Sequence, residues 1–327
     1  MVTSGPLSTA APAPTPQDRF RGCLLGLAVG DAVGMPLEFR PPGTFAPLTD
    51  LVGGGPFGLA PGQWTDDTSM ALCLAESLVE CRGFNPADQL QRYVRWWREG
   101  HLSSTGQCFD IGNATRAALR RFEQTGDAYC GSTDPRVAGN GSLMRLAPVP
   151  MFYAGDPAEA VERAAESSRT TPGAPTAVDA CRCLAGLLVG ALAGGDRRSL
   201  TAPHYSPVPG YRAGHCLAPE IDAVAAGSFR LREPPAIRGA GFVVASLEAA
   251  LWAFHRSSSY REAILLAANL GDDADTTAAV CGQLAGAFYG EGGIPAAWLA
   301  QLHGRALITS FADRLFEASA HCSRAAS

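Results

Sequence analysis

Residues 271–290 have the sequence Gly-Asp-Asp-Ala-Asp-Thr-Thr-Ala-Ala-Val-Cys-Gly-Gln-Leu-Ala-Gly-Ala-Phe-Tyr-Gly, and this segment predicts a helix with one unusual face. A small residue recurs at every fourth position, which places these residues in one line along a helix. Each interior glycine costs roughly 1 kcal/mol of helix propensity relative to alanine, so close packing against a central helix is the expected compensation. The stripe consists of Ala274, Ala278, Gly282, Gly286 and Gly290.

The rest of the chain predicts the same class of structure. Ala- and Leu-rich segments alternate with loops marked by Gly and Pro, and the alternating β-branched runs that indicate strands are almost absent. We therefore predict an all-α fold over residues 18–327, with residues 1–17 as a disordered tail and Leu200–Pro235 as a connection within one domain. The predicted helices are Asp18–Val33, Asp66–Cys81, Pro86–Glu99, Gly112–Gln124, Pro157–Ser167, Pro175–Ala193, Phe242–His255, Tyr260–Asn269, Asp273–Tyr289 and Arg305–Ala320.

Composition limits the classes of function. The chain of 327 residues is 46% hydrophobic and 17% charged, an ordinary globular balance. Its net charge of -5 gives no basic field, so nucleic-acid binding is not expected as the main activity. The cysteines lack paired zinc spacing and predict reduced, buried thiols. No signal peptide or membrane span is expected, because the most apolar stretch, Cys183–Gly195, is shorter than the roughly 20 residues a bilayer requires. We expect a cytoplasmic monomer.

Two segments place Asp and Thr at the start of an apolar helix: residues 64–68, Trp-Thr-Asp-Asp-Thr, and residues 271–277. Capping explains either segment alone, because Asp and Thr are favoured N-caps and first-turn carboxylates interact favourably with the helix dipole. Together they supply five Asp carboxylates and at least four Thr hydroxyls, more than capping requires. Clustered carboxylates repel unless a cation lies between them, and Mg²⁺ and Mn²⁺ prefer oxygen ligands. If the two helix starts meet, they form a two-metal site, with Asp272 as the expected cap.

Five segments together resemble the ADP-ribosylglycohydrolase family, which includes the dinitrogenase reductase-activating glycohydrolase and ADP-ribosylarginine hydrolases. They follow the family's order over nearly the whole chain and are highly specific as a set. The resemblance implies a compact, single-domain orthogonal helical bundle with two Mg²⁺ or Mn²⁺ ions at its centre. The segments are residues 21–34, Arg-Gly-Cys-Leu-Leu-Gly-Leu-Ala-Val-Gly-Asp-Ala-Val-Gly; 64–68; 109–113, Phe-Asp-Ile-Gly-Asn; 139–145, Gly-Asn-Gly-Ser-Leu-Met-Arg; and 271–277.

The resemblance also implies roles for single residues. Asp110 matches an acid near the scissile ribose, Glu38 matches a mobile acid, and Asp31 matches a family acid that we group with the substrate contacts. On sequence alone Asp110 could equally cap a helix, and Glu38 could be a solvated surface residue. The glycine-rich loop resembles a phosphate-contacting segment, since glycine lets backbone N–H groups approach an anion. Its predicted substrate contacts are Gly139, Asn140, Gly141, Ser142 and Met144. The implied metal ligands are Thr65, Asp66, Asp67, Asp273, Asp275 and Thr276.

The expected reaction is hydrolysis at the anomeric carbon of ribose, which passes through an oxocarbenium-like state. The metals are expected to hold the ribose diol and a water whose pKa they lower. Asp110, or a ligand carboxylate such as Asp67 or Asp273, would take the proton of the water, and Glu38 or solvent would protonate the leaving atom. Arginine-linked ADP-ribose, on a protein or a small molecule, is the first expectation. O-linked ADP-ribose and ADP-ribosylated nucleic acid stay open as substrates.

One position departs from the family pattern, because Pro172 stands where the family commonly has His. Proline offers no side-chain donor and no N–H, so we predict weaker binding near the distal ribose, improved by Pro172→His. A weakly active or non-catalytic ADP-ribose-binding homologue is one alternative, since the resemblance extends to a lens crystallin; the complete acidic motifs argue against it. An isoprenoid-type enzyme that binds diphosphate through Mg²⁺ is another. That class places its acids in mid-helix beside an aromatic cavity, and only 8% of residues here are aromatic.

Overall fold

The computed structural model describes residues 13–325, and in that range it consists of helices and loops, with isolated bridges in place of strands. The prediction of an all-α fold is confirmed. The helices are α1 (Pro16–Gly34), α2 (Asp66–Cys81), α3 (Pro86–Glu99), α4 (Asn113–Thr125), α5 (Pro148–Phe152), α6 (Pro157–Arg169), α7 (Pro175–Leu192), α8 (Arg197–Leu200), α9 (Tyr211–Gly214), α10 (Pro219–Ala225), α11 (Val243–Arg256), α12 (Tyr260–Ala268), α13 (Ala274–Tyr289), α14 (Ala296–Gln301) and α15 (Arg305–Ala325).

Helices α1 and α13 form the centre of the fold. The carboxyl end of α1 at Gly34 meets the amino end of α13 at Ala274, so the two helices run antiparallel. A Cβ added to Gly26 would lie 2.4 Å from the carbonyl oxygen of Gly282, and one added to Gly282 would lie 2.1 Å from that of Gly26. Such distances exclude any side chain, and the close approach predicted from the stripe on α13 is confirmed. Its partner α1 carries a matching stripe of Gly22, Gly26, Gly30 and Gly34.

The other helices surround this pair. Helices α7, α11 and α12 pack against α13, and α15 packs against α1. Helix α2 packs on α3, α5 and α15, and its amino end lies at the same end of the central pair as the start of α13. The architecture therefore gathers the end of α1 and the starts of α2 and α13 in one place.

The first helix begins earlier than the sequence pattern predicted. Its first residue is Pro16 instead of Asp18, because Thr15 and Asp18 form a reciprocal capping box at the start of α1. The end of the predicted tail is thus helical, and residues 1–12 of that tail lie outside the described residues. The predicted connection Leu200–Pro235 contains α9 and α10, which are too short to produce a helical periodicity in the sequence.

Within residues 13–325, two helices are long and apolar enough to cross a membrane by length and composition. They are Pro16–Leu37 and Pro175–Leu192. Both are longer than Cys183–Gly195, the most apolar stretch identified from the sequence. Within the fold, 89% and 83% of their most apolar windows are buried. Both therefore have the burial pattern of core helices.

Candidate active site

The starts of α2 and α13 meet at one end of the central helix pair. Thr65 Oγ1, at the start of α2, donates a hydrogen bond to Asp275 Oδ2 on α13 over 3.3 Å. Thr276 Oγ1 donates in return to Asp67 Oδ1 over 3.3 Å. The structure thus brings together the two acidic segments that the sequence placed far apart.

Each of these helices is capped by a carboxylate from elsewhere in the chain. Asp31 on α1 accepts hydrogen bonds from the backbone N–H and the hydroxyl of both Thr65 and Thr68, at 2.6–3.1 Å. Glu38, just beyond α1, accepts from the N–H of Ala274 at 3.0 Å. Neither helix start has a cap from the side chain of its own N-cap residue, Thr65 or Asp273. Asp31 and Glu38 thus satisfy part of the orphan donors, and Asp275 accepts from the N–H of Thr276 at 2.7 Å, so Asp66, Asp67 and Asp273 are not needed as caps.

These contacts exclude one alternative and correct one expectation. Asp31 is fully buried and positions α2, and it is not among the residues that line the cleft over the acids. Glu38 is only 5% exposed, which excludes the alternative of a solvated surface residue. Asp272 does not cap α13, because the N-cap position belongs to Asp273 and the backbone of Asp272 pairs with that of Arg40.

The carboxylates lie so close together that each disfavours ionisation of the others. Burial, and then the charge of Asp275, raises the pKa of Asp31 and of Asp273 to about 7 and that of Asp110 to about 9. Burial, followed by neighbouring carboxylates, also raises the pKa of Glu38, Asp66 and Asp67 above the ordinary range. The protein alone therefore lacks the positive charge that such a cluster requires when ionised.

The donor set fits hard divalent cations. Carboxylate oxygens of Glu38, Asp110 and Asp275 lie within 4.8 Å of one another. Asp67 Oδ2 is buried without a hydrogen-bond partner, and a buried acceptor of this kind calls for a ligand. All the converging atoms are carboxylate and hydroxyl oxygens, which are the ligands that Mg²⁺ and Mn²⁺ prefer.

An open cleft of about 620 Å³ lies above these acids. Glu38, Asp66, Asp110, Asp273 and Asp275 face it, together with Thr276. A second cleft of about 640 Å³ continues from the first, and the start of α4 forms part of both. The residues common to the two clefts are Asn113, Ala114, Gly139 and Gly241. A long ligand can therefore extend from the acids along the start of α4.

The glycine-rich loop supplies part of the cleft wall. Gly139, Asn140, Gly141 and Met144 line the cleft, but the Ser142 hydroxyl is buried against Ser168 and Cys181. The Ser142 side chain therefore does not reach the cleft, and the predicted contact of Ser142 with substrate would have to come from its backbone. The N–H groups of Gly139 and Asn140 already donate to Val137 and Gly241 carbonyls at 2.8 and 3.1 Å. Of the loop amides predicted to meet an anion, those of Gly141 and Ser142 have no acceptor among the described residues.

Asn140 has a positioning role that the sequence did not reveal. Its side-chain nitrogen donates to Asp273 Oδ2 at 2.7 Å and to Ser246 Oγ at 2.8 Å. The amide thus orients a predicted metal ligand, as partners in the outer shell of metal sites commonly do. Because Asn140 and Asp273 are 133 residues apart, sequence spacing could not have shown this pair.

Two arginines beside the loop were also missed as site residues. Arg145 is fully buried and donates to the carbonyl of Gly141 at 2.7 Å and to the hydroxyl of Thr171 at 2.8 Å, which fixes the loop from behind. Arg116 lines the cleft in the first turn of α4, where it donates to the Ile111 carbonyl at 3.4 Å. A cation in a helix first turn opposes the helix dipole. The arginine in the first turn of α4 was therefore the feature of the sequence that could have indicated a functional role for Arg116.

Pro172 lies behind the clefts. It is buried, its carbonyl accepts from Ser168 Oγ at 2.8 Å, and it bridges to Ser132, which itself lines the second cleft. Pro172 itself is not among the residues that line either cleft. We therefore expect its effect on binding to act through the Ser132 loop.

The class that the fold and the site define is an all-α protein with buried acids lining an open cleft. The chain belongs to the ADP-ribosylglycohydrolase family, whose sequence profile matches residues 12–324. It is accordingly a hydrolase that acts on the glycosidic bond of ADP-ribose.

Individual relatives agree with this assignment. An ADP-ribosylarginine hydrolase of Pseudomonas putida is 45% identical over 300 residues, covering 92% of this chain and 78% of the relative. The ADP-ribosyl-dinitrogen reductase glycohydrolase of Rhodospirillum rubrum is 30% identical over 293 residues, covering 88% and 92%. A solved ADP-ribosylglycohydrolase-related protein complex contains a chain that is 47% identical, with a TM-score of 0.82 over 93% of this chain and 99% of that one.

Proposed function

We propose that this protein removes ADP-ribose from arginine side chains, using two Mg²⁺ or Mn²⁺ ions held between the starts of α2 and α13. The arginine linkage is supported by similarity to ADP-ribosylarginine hydrolases of Pseudomonas putida and Serratia proteamaculans, at 45% and 41% identity. The observation that carries the metal site is the buried, unpartnered Asp67 Oδ2 within a cluster of oxygen donors. The residues that would hold the ions are Thr65, Asp66, Asp67, Asp273, Asp275 and Thr276.

The clefts suit an elongated, anionic ligand. The start of α4 presents unpaired backbone N–H groups, and its N-cap residue Gly112 offers no side chain to satisfy them. Arg116 adds a positive charge, and Gly141, whose backbone N–H has no acceptor among the described residues, lines the same cleft. Together these donors are suited to the pyrophosphate. The ribose next to the pyrophosphate would then lie over the acids.

Two acids outside the six-ligand set are placed for proton transfer. When bound, the cations would orient the ribose hydroxyls and lower the pKa of a water. Asp110 faces the cleft; with the cations offsetting the neighbouring carboxylates, it would be ionised and would accept a proton from the water as the water oxygen bonds to the anomeric carbon. Glu38 faces the same cleft and would donate a proton to the departing guanidine nitrogen. The products are ADP-ribose and arginine, and the proton balance closes through solvent.

The test is an assay with three substrates and three metal conditions. Purified protein is incubated with ADP-ribosylarginine, ADP-ribosylserine or ADP-ribosylated DNA, each with Mg²⁺, Mn²⁺ or a chelator, and released ADP-ribose is measured. We expect release from the arginine substrate with metal and loss of release in chelator. Full turnover in chelator, with no metal found by elemental analysis, would refute the metal site. Faster release from the serine or DNA substrate would refute the arginine linkage.

A further inference from the structure

Three phenylalanines form an aromatic wall beside the acids, which we define as Phe39, Phe57 and Phe109. The ring centroids of Phe39 and Phe57 are 6.3 Å apart, and those of Phe57 and Phe109 are 5.2 Å apart. Phe39 and Phe57 line the 620 Å³ cleft. Phe39 is 62% exposed, so most of its ring is available to a ligand.

Phe39 is held in place despite an unfavourable backbone conformation and an unfavourable exposure of its ring. Its φ of +61° lies in the left-handed region, which bulky residues rarely adopt, and its apolar ring is left in water. A backbone hydrogen bond of 2.7 Å from its N–H to the Asp272 carbonyl holds it there. An exposed ring in a strained, pinned backbone indicates a contact to a ligand more than a contribution to stability.

The wall flanks the reacting acids on one side. Phe39 directly follows Glu38, and Phe109 directly precedes Asp110, so the rings adjoin the two acids assigned to proton transfer. Phe39 and Phe57 line only the first cleft, as the acids do, whereas the start of α4 at Asn113 and Ala114 lines both clefts. The wall and the acids therefore lie in the part of the first cleft that the second cleft does not share. A ligand with its phosphates at α4 and its ribose over the acids has its leaving group at the wall.

We propose that the aromatic wall is the subsite for the guanidinium of the target arginine, and this inference rests on the proposed function. A planar guanidinium stacks on aromatic faces and is attracted by their π-electrons. The neighbouring Asp110 carboxylate favours a cationic ligand on this side. The lining cation Arg116 is held on the Ile111 carbonyl, toward α4. A serine leaving group is small and neutral and gains neither stacking nor charge attraction, so the wall selects for arginine.

The experiment compares Phe39→Leu, Phe57→Leu and Phe39→Tyr with the unaltered protein. Leucine keeps an apolar side chain but removes the ring, and tyrosine restores the ring. The two leucine variants should raise KM for an ADP-ribosylarginine peptide about 3- to 30-fold, the range expected for one cation–π contact. Phe39→Tyr keeps a ring, so its KM should equal that of the unaltered protein. Affinity for free ADP-ribose, measured by calorimetry with Mg²⁺, should stay unchanged in all three.

Phe242→Leu separates this subsite from an adenine-binding one. Phe242 is 45% exposed and lines the second cleft, so it is a matched phenylalanine at the other end of the ligand path. If Phe39→Leu and Phe57→Leu weaken free ADP-ribose binding as much as they raise KM, the wall contacts the nucleotide and the proposal is wrong. An unchanged KM in both variants would also overturn it. Failure of the proposed function is distinguishable, because the unaltered protein would then not cleave the arginine peptide.

Discussion

Asp31 and Glu38 take over the capping of α2 and α13, and this exchange explains why so many acids are concentrated in one place. Sequence reasoning identified the surplus of carboxylates at the two helix starts, but it assigned the capping to Asp272. The actual caps come from 34 and 236 residues away along the chain, measured from Asp31 to Thr65 and from Glu38 to Ala274. No local pattern reports such pairs, since they form only when α1 packs against both α2 and α13.

Adjacent positions on the α13 side provide a matched test of the ligand register. Asp273→Asn keeps the side-chain volume and removes a charge that faces the cleft, so metal affinity and turnover should fall. The loss should exceed the 10- to 100-fold typical of outer-shell changes at metal sites. Asp272→Asn should lose little, because Asn tolerates its φ of +54° and its side chain lines a different cavity. Calorimetric metal titration and kcat/KM measure the losses in the two variants. Equal losses would show that the metal ligands on α13 have been assigned to the wrong positions.

At the scale of helices, the sequence predicted positions well where stop and start signals are strong. Helix α3 has both predicted ends, Pro86 and Glu99, because Asn85 caps it and Gly100 adopts a left-handed conformation after it. Helix α5, Pro148–Phe152, was missed because five residues with two prolines show no periodicity. The stripe on α13 predicted a close partner, and the same four-residue spacing of glycines on α1 could have identified that partner from sequence.

The contact between these stripes predicts an unusual response to alanine. Gly282→Ala improves helix propensity by about 1 kcal/mol, but its Cβ would lie 2.1 Å from the Gly26 carbonyl oxygen on α1. Because that atom is backbone, the helices must separate, and overpacking of this kind destabilises by about 1–3 kcal/mol or more. We expect a lower free energy of unfolding in urea titration. Gly292→Ala, which meets no atom within 4 Å, is the control. Equal stability of the two variants would contradict the packing argument.

At the scale of the whole molecule, the active site is a cluster of carboxylates that repel one another when ionised. The α1–α13 pair brings acids from five parts of the chain to one end, and their raised pKa values show that the protein supplies too little compensating charge there. The resemblance of motifs predicted which residues meet, while the second cleft and the aromatic wall depend on loop positions that sequence patterns do not encode. Stability should therefore depend on cation and pH together.

This dependence has a definite sign. The pKa of Asp31 and Asp273 is raised to about 7 and that of Asp110 to about 9, compared with an ordinary Asp value of 3.8, so the metal-free folded state binds more protons than the unfolded chain between these limits. Stability of the chelated protein should consequently fall as pH rises from 5 to 9. The lowered pKa of His255 acts in the opposite direction, but only around its ordinary value of 6.5.

Bound cations require the ionised carboxylates, so they should reverse this trend. Metal affinity rises as the ligands lose protons, and binding to the folded state alone stabilises it by mass action. Thermal unfolding followed by circular dichroism at pH 5, 6, 7, 8 and 9, with chelator or with excess Mg²⁺ or Mn²⁺, should give two Tm curves that diverge as pH rises. Asp273→Asn should reduce the difference in Tm between the metal and chelator curves, because it removes both a titrating group and a metal ligand. Parallel curves would mean that these acids neither titrate in the metal-free protein nor bind the cation, since either process alone would make the gap depend on pH.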